Sequence, residues 1–414
     1  MRQFLMIGVL STACSGQDAD DVIGARQLPP AIRADAAATA AANNQFAFEL
    51  YSQLPATGNI VLSPFSISTA MAMVDAGAAG ATDQELRTAL HFALPGERTH
   101  AAYGALLASL QVGRDHGAYT LSTANRLFGQ QGFAFLPSYL SITQRDYGAS
   151  LMPVDFRGDA EGARGAVNAW VAEQTEHKIA ELFKAGELES STVLALANAI
   201  VFKGTWAQKF DRALTSDEAF TLADGSVVQT PTMHTSAVIR VTGFSGARVG
   251  VLPFGGKDLS MVIVLPSVAS GLAAVEATLA GVGLPALIDG VTGTGASGIA
   301  REPSELALPK FSVTARFELK PALAALGITS PFDEATADFS AIDGQRGLVL
   351  RRVVHQAVIA VDEDGAEAAA ATGAGFNYSA APAPFVVDRP FVFLIYDHVT
   401  SSILFLGRMT DPRS

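Results

Sequence analysis

Catalytic and nucleotide-binding sites often have glycine, serine, histidine or cysteine residues at fixed spacings, so these residue types are considered first. The run Gly293-Thr-Gly295-Ala-Ser-Gly298 matches the dinucleotide-binding pattern G-x-G-x-x-G, whose glycines let the backbone approach a pyrophosphate. The context fails, because no clear strand precedes the run and Pro303 interrupts the helix that should receive the phosphate. We therefore predict a loop there, not a nucleotide site.

Other catalytic patterns are absent from the sequence. It contains no G-x-S-x-G, H-E-x-x-H or C-x-x-C motif, the marks of a serine hydrolase, a zinc peptidase and a redox dithiol. Its seven histidines show no spacing typical of metal ligands. We therefore expect a protein that is not an enzyme and that binds no metal and no cofactor.

The charge balance excludes further classes of function. The chain has 28 basic and 40 acidic residues, a net charge of −12, and no run of Lys or Arg that would make a local basic face. Binding to nucleic acid or to a heparin-like polyanion is therefore not expected. Hydrophobic residues make up 49% of the chain and charged residues 16%, which predicts a large apolar core.

The single cysteine, Cys14, rules out an internal disulfide and follows a short apolar run, Phe4 to Leu10. With Ser11-Thr-Ala before it, this start resembles a bacterial lipoprotein signal, in which the residues before the cysteine are removed and the thiol is lipidated. Ser11 departs from that pattern, which prefers an aliphatic residue, and an ordinary N-terminal tail is the alternative. We expect an exported protein that is secreted or held at the cell envelope only by a lipid on Cys14.

A long segment near the C-terminus lacks the apolar periodicity of a core element. It spans about residues 366–384 and lies between two apolar strand patterns that begin at Val358 and Phe391. A loop of this length is unusual inside a compact domain and indicates function. A flexible linker is the alternative interpretation.

Side-chain alternation in this segment argues against a linker. Every second residue from Ala366 to Phe376 is small or apolar, whereas the intervening set contains the one charge, Glu367. Successive residues of a strand face opposite sides. The segment could therefore join a sheet with one face on a core and Glu367 in solvent.

The remaining pattern predicts an α+β fold, because helices come first, strands follow and no regular βαβ alternation is present. A short strand that begins at Asn59 is predicted to lead into a helix that is capped by Ser63 and begins at Pro64. Other helices are predicted within 43–51, 82–90, 101–110, 136–147 and 163–183, and other strands within 194–201, 226–233, 248–253, 259–265, 306–317, 354–361, 391–397 and 403–409. We predict a signal peptide over residues 1–13, a tether over 14–42 and a single domain over 43–411, with the loop at about 363–387.

From about residue 43 to 411 the sequence resembles the serpin family. The matching stretches are Asn59-Ile-Val-Leu-Ser-Pro-Phe-Ser-Ile67, Asn198-Ala-Ile-Val-Phe-Lys-Gly-Thr-Trp206, Leu308-Pro-Lys-Phe-Ser312, His355 to Gly365 and Phe391 to Gly407. The resemblance implies helices packed on three β-sheets and an exposed reactive-centre loop that can insert into the main sheet as an extra strand.

Inhibitory serpins have a hinge of Glu-x-Gly-small-Glu followed by small residues, which non-inhibitory members often replace with bulky or charged ones. The matching residues here are Glu363, Gly365, Ala366, Glu367, Ala368, Ala369, Ala370 and Ala371. The resemblance therefore implies an irreversible suicide-substrate inhibitor of serine endopeptidases, and by extension of cysteine endopeptidases. A serpin-fold binding or structural protein that does not inhibit is the alternative.

The same resemblance implies that a target protease forms an acyl-enzyme with the loop and is trapped when the cut loop inserts. The bond cut in most members lies sixteen residues after the hinge glutamate, which gives Ser379-Ala380 and an elastase-like or subtilisin-like target. A chymotrypsin-like pocket would prefer Tyr378, and the cut would then be Tyr378-Ser379. No basic residue lies between Ala366 and Val387, so a trypsin-like target is disfavoured.

The family's shutter, a polar cluster beneath the sheet, matches Ser63, Ser66, Asn198 and His355. A buried polar network with two satisfied arrangements suits a sheet that opens. The alternatives are a helix cap for Ser63 and a satisfied core group for His355.

The family's breach, where insertion begins, matches Trp206, although a large aromatic residue can equally be plain core. Lys310 and Glu363 match a pair expected to meet at the top of the sheet. We predict that Glu363→Lys favours premature opening of a monomer into loop–sheet polymers.

Overall fold

The computed structural model describes residues 26–115, 119–283, 287, 301–363 and 384–414. Helices dominate the first half of this part of the chain: α1 (Pro30–Ser52), α2 (Pro64–Asp75), α3 (Gly80–Ala89), α4 (Gly96–Asp115), α5 (Pro137–Tyr147) and α6 (Ala160–Gln174). Shorter helices follow: α7 (Leu272–Thr278), α8 (Lys320–Ala325) and α9 (Ser340–Asp343).

The first helix starts earlier than the predicted tether allows. Residues 30–42, assigned to the tether, form the first half of α1, where Ala36 and Ala40 are fully buried. Alanine is the best helix former, and the Ala-rich run continues the helix that the sequence analysis placed only after residue 42. Arg26, the first described residue, is also buried, so the folded part includes that position.

Strands form most of the second half of the described chain. They are β1 (Ile60–Leu62), β2 (Tyr119–Gln130), β3 (Met152–Val154), β4 (Leu194–Gly204), β5 (Ser216–Thr221), β6 (Val227–Phe244), β7 (Ala247–Pro253), β8 (Leu259–Pro266), β9 (Arg301–Pro309), β10 (Phe311–Glu318), β11 (Val354–Val361), β12 (Phe385–Val386), β13 (Phe391–Asp397) and β14 (Ser402–Met409).

Five strands form the main sheet in the order β10-β11-β4-β2-β3. The pairs β10·β11 and β2·β4 are antiparallel, whereas β11·β4 and β2·β3 are parallel. The even-numbered residues of β4 face the central core, and Ala195, Ala197 and Ala199 face α6. The sheet is therefore covered on both faces around β4.

The other strands follow the path β1-β14-β13-β8-β7-β6-β9-β12, with β5 on β6. Strand β6 is 18 residues long and belongs to two sheets, because its first part pairs with β5 and β9 and its last residues pair with β7. The change of partner falls at Arg240. The described part of the chain thus has three sheets, and the predicted α+β architecture is confirmed.

The core lies between the main sheet and the strands β8, β13 and β14, every residue of which is buried. Phe311 of β10 packs its ring on Phe391 and Phe393 of β13, with ring centroids 5.9 and 5.6 Å apart. Strand β10 therefore packs directly on β13.

In the part of the chain that the structure covers, no helix combines the length and apolarity needed to cross a bilayer.

Candidate functional site: the seam between β4 and β11

Strand β4 is paired very differently along its two edges. With β11 it forms five parallel pairs, from Asn198 with His355 to Phe202 with Ile359. With β2 it forms eleven antiparallel pairs, and β11 forms eight antiparallel pairs with β10. The seam between β4 and β11 is thus the weakest ladder among the long strands of the main sheet.

The four predicted shutter residues meet beneath this seam. His355 Nδ1 lies 2.6 Å from Asn198 Oδ1, and the backbone N–H of Ser63 donates to His355 Nε2 at 3.0 Å. Asn198 Nδ2 donates to the carbonyl and hydroxyl oxygens of Ser66 at 2.9 and 2.8 Å. The side chains thus tie both strands of the seam to the start of α2.

Ser63 also caps α2, since its Oγ accepts a hydrogen bond from the backbone N–H of Ser66 at 3.1 Å. The same hydroxyl donates to the carbonyl of Leu404 at 2.6 Å. Ser63 is therefore a helix cap and also a member of the polar cluster beneath the seam, and its shutter role stays a prediction.

The protonation state of His355 follows from these contacts. A backbone N–H can only donate, so Nε2 must be the acceptor and Nδ1 must carry the proton that Asn198 accepts. Complete burial lowers the pKa of His355 to about 3. A second proton on Nε2 would point at the N–H of Ser63, so the network needs the neutral ring.

Trp206 closes the top of the seam. Its Nε1–H donates to the carbonyl of Asp362 at 2.9 Å, and its ring stacks on Phe254 with centroids 4.7 Å apart. The β4·β11 register ends two residues before the last residue of either strand. The indole therefore bridges the two strands where their backbone pairing has stopped.

Glu363, immediately above the seam, is 6% exposed and bonds to two side chains. Lys310 Nζ lies 2.7 Å from Oε2, as the resemblance implied, and Thr215 Oγ1 donates to Oε1 at 2.7 Å. Burial alone would raise the pKa of Glu363, but the hydrogen bonds from Lys310 and Thr215, a backbone hydrogen bond and the Lys310 charge together lower that pKa. Thr215 was not found by the sequence analysis.

The seam is also open at its lower end. There, residues 348–353 run beside Leu194 and Leu196 of β4 without strand structure. A cavity of about 320 Å³ separates the two segments, and its apolar walls include Leu127, Tyr139, Leu194, Leu196, Phe339, Leu348 and Leu350. Nothing in the sequence pattern predicted this space, because it is formed by segments far apart in the chain.

The loop itself lies largely outside the described residues. These exclude Gly365 to Ala371 of the hinge, both predicted bonds at Tyr378, Ser379 and Ala380, and also Cys14 and the run Gly293 to Gly298. Where the chain is described again, Arg248 donates to the carbonyl of Pro384 at 2.9 Å and lies 5.2 Å over the ring of Phe385. This anchor at the return end of the loop was not predicted from the sequence.

Within the described ranges no group of three or more His, Cys, Asp or Glu could hold a metal ion.

Comparison with known proteins gives a consistent picture. The family model for "Serpin (serine protease inhibitor)" matches residues 41–412. Leukocyte elastase inhibitor A of Mus musculus is 39% identical over 382 residues, which is 90% of this chain and 98% of that protein. Uncleaved ovalbumin superposes with a TM-score of 0.82 at 28% identity, covering 91% of this chain and 100% of that one. The native stressed conformation of Arabidopsis AtSerpin1 gives a TM-score of 0.78 at 27% identity over 92% and 99% of the two chains. This chain belongs to the serpin family.

Proposed function

We propose that this serpin is an irreversible suicide-substrate inhibitor of serine endopeptidases, and by extension of cysteine endopeptidases. The observation that carries the proposal is the seam: β4 and β11 run parallel and share only five pairs. A segment that leaves β11 at Glu363 and turns downward would be antiparallel to both strands, which is a favourable arrangement for a new central strand. The relatives named leukocyte elastase inhibitor support the same activity.

The energy of such an insertion is large enough to trap a protease. An inserted strand of about a dozen residues would add about a dozen hydrogen bonds, at roughly 1 kcal/mol net each. The total, on the order of 10 kcal/mol, is similar to the whole stability of an ordinary domain.

The hinge composition supports a loop that can enter the sheet. Glu363 to Ala371 contains no large apolar side chain to anchor it elsewhere, and Gly365 permits the chain reversal that insertion needs. We propose Ser379-Ala380 as the bond attacked, with an elastase-like or subtilisin-like target. Tyr378-Ser379 and a chymotrypsin-like target are the second choice.

The activity is tested by mixing the purified protein with chymotrypsin, elastase and subtilisin and looking for an SDS-stable complex. Cleavage after Ser379 releases 414 − 379 = 35 residues, and cleavage after Tyr378 releases one more. Mass analysis of this fragment identifies the bond. Clean cleavage by all three proteases without a complex would contradict inhibition and favour a serpin-fold binding or structural role.

A matched pair of variants tests the insertion step. Ala370 belongs to the alternating set that would face the core after insertion, and Ala369 belongs to the other set. We expect Ala370→Arg to turn the inhibitor into a substrate, because a buried guanidinium blocks insertion. Ala369→Arg should keep most of the complex. Equal behaviour of the two variants would contradict strand insertion.

We also propose that the protein is exported, as a lipoprotein anchored through Cys14 or in secreted form, because of the N-terminal sequence pattern. Expression in a bacterial host with labelled palmitate tests this, with Cys14→Ser as the control. Label on the wild type alone supports the anchor, and an unlabelled protein retained in the cell contradicts export.

A further inference from the structure

Arg26 is a fully buried guanidinium that joins three elements. Its side chain is 0% exposed, and its Nη2 and Nη1 lie 2.8 and 3.2 Å from the two carboxylate oxygens of Asp397. Nη1 also lies 3.2 Å from Asp258, and Nε donates to the carbonyl of Ser109 at 2.9 Å. Asp397 ends β13, Asp258 immediately precedes β8, and Ser109 lies on α4.

This residue stands outside the part of the chain that the family model matches, which begins at residue 41. No property of the family therefore assigns it a role. Its burial nevertheless makes it important, because removing one partner from a buried ion pair leaves an uncompensated charge.

Arg26 also reaches the main sheet through Tyr119, the first residue of β2. Its guanidinium carbon lies 6.0 Å from the centre of the Tyr119 ring, and the Tyr119 hydroxyl donates to the carbonyl of Leu110 on α4 at 2.8 Å. A Cβ at Gly113 would lie 2.5 Å from the Tyr119 hydroxyl and 3.0 Å from Arg26 Cδ. Helix α4, the start of β2 and Arg26 therefore form one tightly packed group.

Opening of the seam must move the two halves of the main sheet apart by about 4.8 Å, the spacing of neighbouring strands. The half formed by β10 and β11 is tied to the other sheets, because Lys310 alone separates β10 from β9 and its backbone N–H donates to the carbonyl of Pro231 on β6 at 2.8 Å. The half formed by β4, β2 and β3 must then shift relative to β8 and β13. Arg26 lies where these two parts would slide past each other. It contacts β2 and α4 on one side and Asp258 and Asp397 on the other.

The other contacts between these two parts include apolar ones, such as Phe202 of β4 on Phe405 of β14 with ring centroids 5.6 Å apart, and backbone hydrogen bonds of Ala207 with Pro253 and of Gly255 with Thr205. Apolar contacts can exchange as surfaces slide, because dispersion and the hydrophobic effect are non-directional. A buried ion pair with defined hydrogen bonds cannot, since each broken bond leaves a charge without its partner.

We propose that Arg26 is a positioning residue of the inhibitory movement. It links α4 and the start of β2 to β8 and β13, a connection that we call the strap, and so sets how readily the main sheet opens. The proposal rests on the proposed function, in which a cut loop enters the seam. Loss of the strap lowers the barrier to opening, so the uncut protein converts to loop-inserted forms or polymers sooner.

The test compares Arg26→Met with wild type in two forms, uncut and cut in the loop by a metallopeptidase, which makes no acyl-enzyme. A second variant, Arg26→Met with Asp258→Asn and Asp397→Asn, removes the unpaired buried carboxylates if the single variant folds poorly. Arg33→Met is the matched control, since Arg33 is an exposed arginine of the same segment.

We expect the uncut variants to lose thermal stability and to convert at a fixed temperature about tenfold faster, which corresponds to about 1.4 kcal/mol in the barrier. The cut forms should melt at the wild-type temperature, and Arg33→Met should change neither form. Equal destabilisation of cut and uncut forms, or no change in either, would overturn the strap. Wild-type protein that gains no stability when cut would instead contradict loop insertion itself, and the strap with it.

Discussion

The two edges of β4 differ in kind as well as in length. Toward β2 the strand has eleven antiparallel pairs, whereas toward β11 it has five parallel pairs that rest on a buried polar network. Parallel pairing is also slightly weaker per residue. Under the proposed insertion, the main sheet would separate on the β11 side of β4 only, and β4, β2 and β3 would move as a unit.

A second contrast concerns what lies under the strands. Strands β8, β13 and β14 are buried along their whole length by apolar side chains for the most part, so an extra strand there would have to displace close-packed core. The seam has hydrogen-bonding side chains at its middle, an indole at its top and a cavity at its lower end. The seam, unlike these three strands, has groups that can exchange partners and space that can be filled.

The largest change at the seam is expected from Glu363→Lys. The new ammonium would face Lys310 in a site that is 6% exposed, and Thr215 would lose its acceptor. We expect the free energy of unfolding to fall by about 2 kcal/mol, the worth of a hydrogen bond to a charged group. Polymers should appear on gel filtration after mild warming.

The charge-swapped variant, Glu363→Lys with Lys310→Glu, is the control for this experiment. It restores opposite charges at the same two positions and should recover most of the monomer. If the swapped variant polymerises as fast as Glu363→Lys, the ion pair is not what closes the top of the seam.

A smaller effect is expected from acid. Burial lowers the pKa of His355 to about 3, far below the usual value of 6.5, so between these values the unfolded chain takes up a proton that the folded protein does not. The free energy of unfolding therefore falls as the pH falls through this range, by about 1.4 kcal/mol per pH unit for this residue.

Two other buried groups titrate in the same range, so the informative quantity is a difference between variants. Burial lowers the pKa of His100 to about 4, which acts in the same direction, and raises the pKa of Asp75 to about 7, which acts in the opposite one. Urea unfolding at pH 6.5 and pH 5 should show a weaker acid dependence for His355→Gln than for wild type. The same slope in both proteins would show that His355 is not the buried neutral group described above.

The sequence predicted the seam better than its surroundings. Ser63, Ser66, Asn198 and His355 lie in stretches whose order matched a family, so their meeting could be expected. The capping role of Ser63 could also be predicted from its neighbours, because a serine before a proline is typical of a helix start. Such signals depend on near neighbours in the chain.

The partners that were missed are distant in sequence. Thr215 bonds to Glu363 across 148 positions, and Arg26 bonds to Asp397 across 371. The sequence around Thr215 or Arg26 contains no motif that predicts a partner so far away. The start of α1 was missed for another reason, since an Ala-rich run has no polar face from which to read helical periodicity.

The central claim is that a strand enters between β4 and β11, and a reversible crosslink tests it most directly. Ala199 is the register partner of Gln356 on β11 and of Ala124 on β2. Neighbouring strands lie close enough for a disulfide. Cys14 is the only cysteine in the sequence, so in a Cys14→Ser background each engineered pair contains the only two thiols.

We expect Ala199→Cys with Gln356→Cys, when oxidised, to be cut in the loop without forming an SDS-stable complex, and to regain the complex on reduction. Ala124→Cys with Ala199→Cys should inhibit in both states, because that edge does not open. An oxidised seam crosslink that still traps the protease would contradict the account.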